Sequence, residues 1–86
     1  ENINENAKND LLLTVKVYSN LTSGEKLSVS KDANIRELAS SFSNIVNVVK
    51  KGEIVFFDSV LRGWIKVTTS SQDIGYIDSK YLYVVN

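Results

Sequence analysis

The sequence predicts a small all-β barrel. Three observations carry that prediction: short β-branched and aromatic runs recur along the chain, polar turn-forming clusters separate them, and proline is absent throughout. With 86 residues the chain forms one domain at most, and a domain of this size buries only about 60% of its unfolded surface, so the core must be compact. Charged residues make up 23% and hydrophobic ones 43%, the balance of a globular chain and not of a disordered one.

The elements follow in order. Residues Glu1 to Asp10 are Asn-rich with alternating Glu and Lys and read as a solvated tail or linker end. Leu11 to Ser19, LLLTVKVYS, places Leu11, Leu13, Val15 and Val17 on one face at period two and reads as an extra N-terminal strand. Ser23 and Gly24 supply a turn before alternation resumes at Leu27 and Val29. Ile35, Leu38, Ala39 and Phe42 have helical spacing, but the stretch is short and Ser-rich, so a strand end followed by an irregular loop is expected, with at most a turn or two of helix. Ile45 to Val49 is a strand, Lys50 to Gly52 a break, Ile54 to Phe57 a strand and Asp58 to Gly63 a loop. Trp64 to Thr68, Gly75 to Ile77 and Tyr81 to Val85 complete the strands, with Thr69 to Asp73 as a polar hairpin loop. Alternation puts Val55, Phe57, Ile65, Val67, Ile77 and Leu82 in the core.

Composition also excludes classes of function. Ten basic residues balance ten acidic ones without clustering, which argues against a nucleic-acid partner and against an anionic membrane surface. No apolar run approaches the ~20 residues of a membrane span. The first residue is Glu1 and not Met, as expected of an excised fragment or a mature product. Without Cys there is neither a disulfide nor a thiolate metal site. Without His or Cys the commonest general bases and nucleophiles are missing too, so no catalytic residue is assigned. Asp58, Asp73 and Asp78 read as solvated loop charges, not as an acid and base pair. Ser28 and Lys31 have Ser-x-x-Lys spacing, yet residues three apart in a strand point to opposite faces. The carboxylates do not alternate closely enough for a metal loop, and no glycine-rich phosphate loop is present. No cofactor is expected.

Four motifs in order, NIR from Asn34, KKG at Lys50 to Gly52, GWIKV from Gly63, and IGYIDSKYL from Ile74, resemble the bacterial Src-homology-3 family, over about Leu27 to Val85. Members usually follow the Arg with Ser-Gly-Pro, whereas Glu37, Leu38 and Ala39 stand here, so a different loop path is expected. The resemblance implies an SH3-like barrel and a non-catalytic binding module of an extracytoplasmic protein, in the cell envelope or secreted. The partner it implies is peptidoglycan peptide or a protein.

The aromatic residues of the last third then become the ligand-binding candidates, because rigid amphipathic rings dominate peptide and sugar recognition. In the wider fold a Trp opening one strand and a Tyr in the turn before the last strand line the peptide groove, and Trp64 and Tyr81 stand at those places, with Tyr76 nearby. The groove is expected between the loops Asp58 to Gly63 and Thr69 to Asp73, while Arg36 reads as a structural charge over the sheet. Ile54 and Phe56 point outward from their strand and form a candidate interaction patch. The N-terminal strand or a second copy of the chain would cover it, so the alternative reading is a structural domain that docks on its parent chain or forms a homodimer through that strand.

Overall fold

The computed structural model describes residues 20–85. The expectations for Glu1 to Asp10 and for the strand Leu11 to Ser19 therefore lie outside the described residues. Seven strands follow: β1 (Lys26–Val29), β2 (Ala33–Arg36), β3 (Ile45–Val49), β4 (Ile54–Leu61), β5 (Trp64–Thr69), β6 (Ile74–Asp78) and β7 (Leu82–Val84). A 3₁₀ turn, Ser79–Tyr81, joins the last two. All pairings are antiparallel, in the order β3-β2-β6-β5-β4-β1-β7, and this one curled sheet is the small SH3-like barrel.

The curl is dictated by side-chain alternation. Along β5, Ile65, Val67 and Thr69 are buried while Trp64, Lys66 and Thr68 face outward. Ile77 of β6 and Val55 and Phe57 of β4 continue the inner face. Val29 and Leu27 of β1, Ala33 and Ile35 of β2, Val49 of β3 and Leu82 of β7 close it. Every one of the six core residues expected from alternation is buried. β1 is the pivot: it pairs β4 on one edge and β7 on the other, and Val29 exchanges hydrogen bonds with Gly52 and Glu53 of the turn before β4.

The segment Asp58 to Gly63 is not the loop that its polar residues suggested. β4 continues through it to Leu61, and only Arg62 and Gly63 make the turn into β5. A bulge between Phe57 and Ser59 permits this, because the extra residue Asp58 re-phases the strand. Phe57 and the half-buried Val60 thus both face inward although they are three apart, and Leu61 is set on the outer face, in register with Trp64. Tyr81 is likewise not the first residue of the closing strand but the last of the 3₁₀ turn.

The helical spacing from Ile35 to Phe42 comes from a strand and a loop. Ile35 is buried in β2, whereas Leu38 is 63% and Phe42 97% exposed. The loop 37–44 holds itself closed: Glu37 N–H donates to the Asn44 carbonyl, Ser43 N–H to that of Ser40, and Leu38 N–H to the Ser43 hydroxyl.

Candidate functional site

Trp64 opens β5 on the face opposite Ile65 and Val67, so its indole lies on the outer surface, partly exposed. The β5–β6 register sets Trp64 opposite Asp78, the residue where β6 ends and the 3₁₀ turn starts. Asp78 caps that turn by accepting from the Lys80 N–H at 3.1 Å. Ser79 N–H donates to the Gly63 carbonyl at 2.9 Å, which ties the turn to the residue before Trp64. Tyr81, three residues past Asp78, is half-buried with its ring against the core cluster. Residues 17 apart in sequence thereby line one groove.

That groove is open, with a volume of about 280 Å³, and Trp64 and Tyr81 share it with Asn34, Arg36 and Val48. Asn34 and Arg36 are the two outward residues of β2, and Val48 stands opposite Asn34 on β3. Nη1 of Arg36 donates to the Ser43 carbonyl at 3.0 Å, so this side chain anchors the loop 37–44 from beneath and still lines the groove. Asp32, at one margin, accepts from the Lys51 N–H at 2.9 Å and lies 3.6 Å from Lys50. The Lys51 hydrogen bond, opposed by desolvation and aided by the charge of Lys50, holds the Asp32 carboxyl below its ordinary value. At the other margin Lys80 lies 3.8 Å from Asp78 and 5.3 Å above the Tyr81 ring, at cation–π distance.

The other candidates fall elsewhere. Tyr76 is half-buried at the middle of β6, opposite Arg36 and Lys66, and is not among the residues that line the groove. Ile54 and Phe56 are half-buried on a different part of the outer face, where Phe56 stands between Lys26 and Thr68 and Ile54 opposite Ser28. The loop Thr69 to Asp73 does not flank the groove. It leaves the far end of β5 from Trp64, and a six-residue strand separates its ends by roughly 17 Å. The loop 37–44 and the strand pair β2–β3 take that flanking place. Alternation within NIR was the signal available for Asn34 and Arg36, but it marks a face and not a groove.

The sequence pattern of the bacterial SH3 domain matches residues 31–83. The chain belongs to the bacterial SH3 domain family. The match runs from just before Asp32 to just after Tyr81, so this bacterial SH3 domain carries its whole groove within the family's own span. Domains of the SH3 type are generally non-catalytic binding modules. No curated protein matches the chain.

Proposed function

We propose that this bacterial SH3 domain is a non-catalytic binding module of a cell-envelope or secreted protein, and that it grips an extended peptide, from peptidoglycan or from a protein partner, between Trp64 and Tyr81. The observation that carries the reading is the convergence of these two rings, from β5 and from the 3₁₀ turn, on one open groove. Each ring is backed by the sheet and keeps part of its surface accessible, which is how aromatic anchors gain contact area at low entropic cost.

Asp58, Asp73 and Asp78 form no acid and base pair. Asp58 lies 4.0 Å from Lys66, Asp73 accepts from Asn47 at 2.7 Å, and Asp78 pairs with Lys80, three separate places on the surface. Incubating the domain with purified cell-wall sacculi tests the reading. Retention that Trp64→Ala abolishes is the expected result. A second reading, docking on the parent chain or self-association, draws on the patch at Ile54 and Phe56, because the exposed Tyr83 and Ile74 extend the same cross-strand rows. No retention on sacculi, together with a mass that rises with concentration, would favour it.

A further inference from the structure

Trp64, the single tryptophan of the sequence, lines two hollows, and an arginine lines each of them. Arg36 lines the groove shared with Tyr81. Arg62, Gly63, Leu61 and Ala39 line a second concavity with Trp64, of about 400 Å³. Arg36 and Arg62 are the only arginines in the sequence. Among the described residues neither lies within 4.0 Å of a carboxylate, whereas the two carboxylates that line the groove, Asp32 and Asp78, are paired with Lys50 and Lys80.

Both side chains are held in ways that suit an incoming anion. The hydrogen bond to the Ser43 carbonyl fixes the half-buried guanidinium of Arg36 and leaves most of its five N–H donors free for a bidentate partner. Arg62 occupies the first position of the two-residue turn with a φ of 59°, a left-handed conformation in which hairpins favour glycine. A strained residue at a concave surface is a pointer to function. The turn presents its cation beside the apolar Leu61 and Ala39.

We infer that Arg36 and Arg62 read carboxylates in the two hollows that meet at Trp64, and that the ligand is an acidic extended peptide lying across the indole. The inference rests on the groove reading above and names the chemistry of its ligand. Carboxylates of this kind occur both in the stem peptides of a cell wall and in acidic segments of proteins.

The fluorescence of Trp64 reports on the site directly. Three heptapeptides, identical except for two Glu, two Gln or two Lys, are titrated into the full chain. The Glu peptide is expected to bind at least ~10-fold more tightly than the Gln peptide at low salt, with the gap closing toward 1 M salt. Arg36→Gln and Arg62→Gly should each shrink that gap, and the double variant should erase it. Arg62→Gly places in the turn the residue that its backbone favours, so a loss of preference there is not a loss of fold. Equal binding of the Glu and Gln peptides, or a preference that survives the double variant, overturns the arginine assignment alone. Silence of Trp64 toward all three peptides overturns the groove reading with it. Retention on sacculi that the Glu peptide competes away assigns the carboxylates to the wall, and Glu-peptide binding without retention assigns them to a protein segment.

Discussion

Gly75 is where fold and groove depend on a single hydrogen atom. A β-carbon built there would lie 2.6 Å from the Arg36 carbonyl oxygen, 2.6 Å from Cγ2 of Ile35 and 3.2 Å from Cγ2 of Val46. The first is backbone and the second belongs to a fully buried, β-branched side chain of restricted χ1, so neither can readily step aside. Gly75→Ala must therefore push β2 away from β6, and the only registered pair of that seam is Arg36 with Tyr76. Overpacking by one methyl group typically costs ~1–3 kcal/mol, and the overlap here puts the cost near the top of that range. The stiffer unfolded chain of an alanine returns ~0.4–1 kcal/mol. A net loss of about 2 kcal/mol lowers the melting temperature of a domain this small by roughly 10 °C. Thermal unfolding followed by Trp64 fluorescence measures it, with Gly52→Ala as comparator, since nothing lies within 4 Å of that position and only its φ of 89° is strained. A Gly75→Ala domain that melts within about 2 °C of the parent would show that β2 yields freely at this contact.

Three further outcomes are expected. Phe57→Ala should cost ~3–5 kcal/mol in urea unfolding, because the ring is 5% exposed and faces Val67; a loss under 1 kcal/mol would contradict its place in the core. Trp64→Ala should change stability by less than about 1.5 kcal/mol, since the indole is partly exposed on the outer face, and a loss as large as that of Phe57→Ala would make it a core plug. Asp32 is held below its ordinary carboxyl value in the folded state, so its stabilising contribution is present above the unfolded value near 3.9 and disappears as the pH falls through the lower folded one. The small advantage of the parent over Asp32→Asn should accordingly shrink below about pH 4, and an advantage that stays constant to pH 2 would show that the charge plays no part.

The inner face of this barrel was legible because period-two alternation has only one buried solution. Ile65 and Val67 or Val55 and Phe57 cannot exchange faces without exposing the whole set. The bulge at Asp58 was not legible, because an inserted residue looks like a polar loop until its partner strand is known. Trp64 and Tyr81 came from the resemblance, and the groove they line was expected against the loop Thr69 to Asp73, which leaves the far end of β5. Its far wall is made by β2 and β3, which reach Trp64 only through the crossing of β2 onto β6, a non-local pairing that no local pattern encodes. Arg36 shows the same limit: its position over the sheet was readable, but its opening onto the groove depends on where loop 37–44 folds back.

Ligand is expected to enter at Trp64 and Tyr81. The amide spectrum of labelled protein, titrated with soluble wall peptides, tests it most directly, because the single indole N–H gives one isolated signal. Ligand bound there shifts this signal together with the amides of Asn34 to Arg36 and Asp78 to Tyr81. Shifts concentrated at Ile54, Phe56 and Tyr83 with an unmoved indole would contradict it.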